Sequence, residues 1–116
     1  MSCQIKAVDL NRLPPADEIL SQQEAAFFQT LRFPKRRVEW LGGRFALKEL
    51  VRACSGVSYR EIEVLPHPSG KPVLRVKGEE SPLAFSITHS HGWAVAAVSQ
   101  DERFIGIDLE KIEHRL

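Results

Sequence analysis

The order of hydrophobic periodicities predicts an α+β fold, an antiparallel sheet packed against two helices. One short alternating run stands at the N-terminus. Two stretches with helical spacing follow, each bounded by proline. Beyond Ser55-Gly56 the chain reads as short alternating runs joined by turn residues, which favours local hairpins over parallel βαβ units. With 116 residues, 43% of them hydrophobic, residues 1–116 are expected to form a single domain with a core of its own.

Gln4 to Leu10 alternates well enough for a first strand, with Ile5 and Ala7 on one face and Val8 breaking the pattern. Pro14-Pro15 stops it, because proline cannot continue a ladder. Asp17 is placed to cap a helix running to about Thr30, with Ile19, Leu20, Ala26 and Phe27 as its apolar positions. After Phe33-Pro34 a second helix spans about Lys35 to Ala53. Gly42-Gly43 inside it costs about 1 kcal/mol per residue against alanine, which points either to something packed very close or to a kink. Strands are then expected at Arg60–Leu65, Lys71–Val76, Leu83–His89, Trp93–Ser99 and Phe104–Glu110. Pro66 to Gly70, Lys77 to Pro82 and His91-Gly92 supply the intervening turns and loops.

Sixteen basic and fifteen acidic residues leave a net charge of +1, so no global field recruits nucleic acid or an anionic membrane. No apolar run approaches membrane-spanning length. Two cysteines, Cys3 and Cys54, without CxxC spacing or a secretory leader, read as a reduced cytoplasmic protein.

Two clusters carry chemistry. On the second helix, steps of seven and four bring Arg37, Arg44 and Lys48 within about 40 degrees of one another, flanked on both sides by apolar positions. Either their stems snorkel past the core, or their heads reach a partly buried anion such as a phosphate. In the last run, Asp108 and Glu110 share a strand face with Phe104 and Gly106. That face is either the wet side of an edge strand or a pair of hard oxygen ligands suited to Mg2+. His89-Ser90-His91 has metal-like spacing, but no cysteine or acid nearby completes a zinc set. His67 and His114 read as exposed turn and tail residues. Nucleic-acid binding through Arg36, Arg37, Arg44, Lys48 and Arg52 is disfavoured, because core residues interleave the stripe.

Trp40-Leu41-Gly42-Gly43-Arg44-Phe45-Ala46-Leu47-Lys48-Glu49, Gly70-Lys71-Pro72, Phe85-Ser86-Ile87-Thr88-His89-Ser90 and Gly106-Ile107-Asp108-Leu109-Glu110 occur in that order within about seventy residues. Together they resemble the 4'-phosphopantetheinyl transferase superfamily, specifically the N-terminal half of its two-half, surfactin-synthetase-activating type plus the opening strand of the second half. The resemblance implies Mg2+-dependent transfer of 4'-phosphopantetheine from coenzyme A to a serine of an acyl or peptidyl carrier protein, with release of 3',5'-ADP. It further implies that Arg44, Lys71, Thr88 and His89 contact coenzyme A phosphates, that His89 takes part in catalysis, and that Asp108 and Glu110 ligate Mg2+ in the reaction centre. Lys48 is a further candidate for the coenzyme.

Two-half members continue into a WxxKE helix whose glutamate completes the metal site, and nothing here follows Leu116. Arg44-Phe45-Ala46-Leu47-Lys48-Glu49 also resembles the RxAxKE helix of the small trimeric holo-acyl-carrier-protein synthases. This makes Glu49 a candidate catalytic residue, meeting Asp108 and Glu110 of another copy in a homo-oligomer. The alternative is a non-catalytic module that binds coenzyme A or a carrier protein.

Overall fold

The computed structural model describes residues 3–99. Strand β1 spans Cys3–Asp9 and is followed by two short helices, α1 (Ala16–Ile19) and α2 (Gln22–Phe28). The long helix α3 occupies Pro34–Ser55, and a single 3-10 turn, Tyr59–Glu61, leads to β2 (Ile62–Pro66). Strands β3 (Pro72–Val76), β4 (Glu79–Glu80), β5 (Ala84–Ser90) and β6 (Trp93–Ser99) complete the described chain. Two antiparallel sheets result, ordered β1-β6-β5 and β2-β3-β4. The expected α+β architecture of helices against antiparallel strands is therefore present. The expected fifth run, Phe104–Glu110, lies outside the described residues. No helix among the described residues is long and apolar enough to cross a membrane.

The expected helix from Asp17 to Thr30 is two helices. Ser21 caps the second: its hydroxyl accepts from the Glu24 amide at 3.2 Å, while Glu24 Oε1 accepts from the Ser21 amide at 3.0 Å. This reciprocal box satisfies two orphan donors at a new helix start, so the chain restarts at Ser21. The N-cap of α1 is Pro15, and Asp17 lies inside its first turn. The stretch from Arg60 opens as the 3-10 turn before becoming β2, and part of the expected 77–82 loop pairs as β4, with Glu80 opposite Arg75.

Strand β1 faces the other way from its apparent alternation. Val8 is buried opposite Ala94, whereas Ile5 and Ala7 are exposed. Ala94, Ala96 and Val98 of β6 pack into the main core with Ala46, Leu47 and Leu50 of α3, and the register puts Val8 on that face. A second cluster joins Ile19 and Leu20 to Phe28, Trp40 and Leu41. The β5–β6 hairpin turns through His91 and Gly92, with φ of 50° and 83°. Two successive positive φ values define a two-residue turn whose twist matches the strands, and glycine takes the second position without strain.

Helix α3 crosses the β1-β6-β5 sheet at its glycine pair. A β-carbon at Gly43 would sit 2.6 Å from Ile87 Cγ2 and 3.4 Å from His89 Nε2, and one at Gly42 would collide with Leu10 and come within 3.3 Å of Ala94 Cβ. Of the two sequence explanations, close packing is the one realised: α3 runs unbroken through both glycines.

Candidate functional site

The approach of α3 to β5 opens a cavity of about 310 Å³ on the side of the helix that carries Trp40 and Arg44. Arg36 and Glu39 from α3, Phe27 from α2, Gly70 from the turn between β2 and β3, Pro72 at the start of β3, and His89 from β5 complete most of its wall.

Arg44 is its electrostatic centre. The guanidinium lies over the Trp40 ring, 4.2 Å from the centroid, and Nε is buried with no hydrogen-bond partner among the described residues. Burial pushes its pKa down to about 10; the field of Glu24 works against this shift and that of Arg36 adds to it. Arg44 is still a cation at neutral pH. Two arginines thus line one cavity and repel each other, an arrangement that an anion relieves.

His89 is oriented by the helix. Its Nε2 is 2.7 Å from the carbonyl oxygen of Glu39. A carbonyl only accepts, so Nε2 carries the proton, leaving Nδ1 an acceptor in the neutral ring and a donor in the charged one. The contact exists because Gly43 lets α3 approach. Gly70 and Pro72 flank the cavity, while Lys71 between them lines an adjoining groove of about 700 Å³ with His67, Ser69 and Glu80. Lys71 therefore stands on the wall between two concavities.

Other candidates lie apart. Thr88 is half-buried on β5 and, with a two-residue period, belongs to the opposite sheet face from His89. Glu49 is paired: the Tyr59 hydroxyl donates to its Oε2 at 2.8 Å, and it does not line the cavity. Burial, then this bond, raises the Tyr59 pKa. Asp108 and Glu110 lie outside the described residues, and no group of three potential metal ligands stands together among those described.

Lys48 does not serve the cavity. Its side chain is wholly buried, and its three N–H donors go to Glu24 Oε1, to the Ile19 carbonyl at 2.8 Å and to the Tyr59 carbonyl at 3.0 Å. An ammonium so saturated has nothing left for a phosphate. Burial lowers its pKa, against the pull of Glu24. Arg37 is also committed elsewhere, donating to the Phe28 and Leu31 carbonyls and lying 4.1 Å from the centroid of the Phe28 ring. The cationic stripe therefore divides: Arg44 reaches a cavity, and Lys48 and Arg37 hold α1, α2 and the 3-10 turn to α3.

Two features escaped the sequence reading. Glu24 is fully buried and receives the Ser21 amide, Lys48 and, at 2.8 Å, the Val64 amide. Ser21-x-x-Glu24 is its local signal. Trp40 was legible as apolar, yet its role as the floor beneath Arg44 needed the tertiary structure.

Residues 11–101 match the family described as 4'-phosphopantetheinyl transferase, N-terminal. A holo-[acyl-carrier-protein] synthase from Geobacillus sp. (strain WCH70) is 38% identical over 88 residues, covering 71% of this chain and 73% of that protein. The corresponding protein of Oceanobacillus iheyensis is 34% identical over 113 residues, covering 85% of this chain and 94% of its own. The crystal structure of a Bacillus anthracis holo-(acyl-carrier-protein) synthase in complex with CoA (3',5'-ADP) superposes with a TM-score of 0.65 at 30% identity, over 83% of this chain and 91% of that one. The fold, the cationic cavity and these likenesses converge on one assignment: the chain belongs to the 4'-phosphopantetheinyl transferase family.

Proposed function

We propose that this protein transfers 4'-phosphopantetheine from coenzyme A to a serine of an acyl or peptidyl carrier protein, as a Mg2+-dependent holo-acyl-carrier-protein synthase. The observation that carries the reading is the Arg44 guanidinium, which lines a cavity shared with Arg36 and His89 and whose buried Nε has no hydrogen-bond partner among the described residues. Such a site suits a phosphate, for which arginine supplies charge and directed donors. Lys71 at the edge of the cavity wall extends the positive potential along the coenzyme, while Thr88 stands on the sheet face opposite to His89 and is given no contact with the coenzyme.

In the reaction the serine oxygen forms a bond to the pantetheine-bearing phosphorus, the pyrophosphate bridge breaks, and 3',5'-ADP leaves as the serine proton passes to a base. Catalysis of this kind is largely positioning and charge neutralisation. Arg44 and Arg36 hold the coenzyme's phosphates, and His89 orients them from a ring fixed by the Glu39 carbonyl. Asp108 and Glu110 would hold Mg2+ through their hard oxygen donors, and the ion would supply neutralisation of pyrophosphate charge. In a homo-oligomer, Glu49 of one copy would stand beside Asp108 and Glu110 of another.

A second reading has its own support. The Glu49 carboxylate is held by Tyr59, away from the cavity, which favours a module that binds coenzyme A or a carrier protein without catalysis.

Titration calorimetry with coenzyme A, with and without Mg2+, tests the shared premise. Micromolar binding that weakens in Arg44→Ala and Lys71→Ala is expected, and absence of binding would end the transferase reading and the coenzyme A form of the second. Transfer by the wild-type chain, lost in Glu49→Ala and in Asp108→Asn, separates enzyme from module.

A further inference from the structure

Arg44 is held in a manner uncommon for a buried cation. Such groups are ordinarily paired with a carboxylate, because an unpaired charge out of water is costly. Here the acid whose field supports it, Glu24, gives its oxygens to Lys48 and to the Ser21 and Val64 amides. Beneath the guanidinium lies an indole face. A carboxylate would cancel the charge, whereas an aromatic quadrupole attracts a cation and adds no net charge.

Trp40 is built to be that surface. It sits four residues before Arg44, one helical turn away on the same face of α3. It is 7% exposed, with Phe27 stacked on it at 5.4 Å and Phe28 tilted against it at 5.8 Å. Arg37 presses on the Phe28 ring and donates to the Phe28 carbonyl, so the support is fixed from behind.

We propose that Trp40 is a positioning residue for the anion site: its indole face holds the Arg44 guanidinium in the cavity where a carboxylate would otherwise stand, leaving Arg44's full charge for a coenzyme A phosphate. This rests on the coenzyme reading above. Removing the π face lets the guanidinium rotate and weakens the coenzyme.

The test grades the π face without changing its shape. In a Trp93→Phe chain, which leaves Trp40 as the remaining tryptophan of two, Trp40 is replaced biosynthetically by tryptophans of increasing ring fluorination. Coenzyme A affinity is expected to fall with each fluorine, by about tenfold in total. The same series in an Arg44→Ala background is expected to be flat. In the ligand-free chain the Arg44 Nε–H resonance is expected upfield from the indole ring current. An affinity unchanged across the series, or an equal fall in the Arg44→Ala background, overturns the role of Trp40. If the unsubstituted chain binds no coenzyme A, the coenzyme reading falls separately. The series is then read with inorganic pyrophosphate, and a flat response there overturns the Trp40 proposal as well.

Discussion

Glu24 on α2 and Lys48 on α3 form an ion pair with neither side chain exposed to solvent, and the pair ties five elements together. Lys48 also reaches the carbonyls of Ile19 and Tyr59, and Glu24 the amide of Val64. A buried pair adds little over a hydrophobic isostere, but removing one partner strands the other charge. Glu24→Ala is therefore expected to destabilise the chain by about 3–5 kcal/mol in urea unfolding. The double variant Glu24→Leu, Lys48→Met should recover most of that loss. If Glu24→Ala cost less than about 1 kcal/mol, the pair would not be the clamp described here.

Gly43→Ala probes the approach of α3 to β5. Alanine gains about 1 kcal/mol in helix propensity, yet its β-carbon would meet the Ile87 methyl at 2.6 Å. Overpacking of this kind costs about 1–3 kcal/mol, so a net loss of stability is expected. The displaced sheet would also shift His89, whose Nε2 is 3.4 Å from the new carbon. Thermal unfolding and coenzyme A titration should both register the change. An unaltered melting temperature would show that the close approach is not needed.

Arg44 gives the site a pH dependence. Its pKa in the free chain is about 10, so above that pH the ligand-free protein loses a proton that a bound phosphate requires. The sign follows: coenzyme A affinity should fall as the pH rises past about 10, by up to tenfold per pH unit. In Arg44→Ala this step should vanish and affinity at pH 7 should drop by about tenfold to a hundredfold. A profile identical in both chains would remove Arg44 from the binding site.

Ser21 tests the restart of the helix. Ser21→Ala removes the acceptor for the Glu24 amide and the donor to Glu63 Oε2 at 2.6 Å. Loss of an N-cap costs about 1 kcal/mol, with a smaller addition for the second bond. Equilibrium unfolding that shows no change would mean that Glu24 alone sets the turn.

The sequence by itself determined the long helix, the longer strands among the described residues, the turn at His91-Gly92 and the order of motifs that marks the family. These depend on local periodicity, on glycine's access to positive φ and on residue spacing along the chain. It also presented Arg44 and His89 as phosphate contacts, and the structure places both on the wall of one cavity. It could not divide the cationic stripe of α3. Arg37, Arg44 and Lys48 share one helical face, and their separate fates follow from partners far away in the chain: Glu24 for Lys48, the Phe28 and Leu31 carbonyls for Arg37, an open cavity for Arg44. Likewise, alternation in β1 gave no facing until β6 paired with it and set Val8 against Ala94. Periodicity fixes which residues share a face; only packing decides what that face meets, because desolvation and pairing are settled between elements.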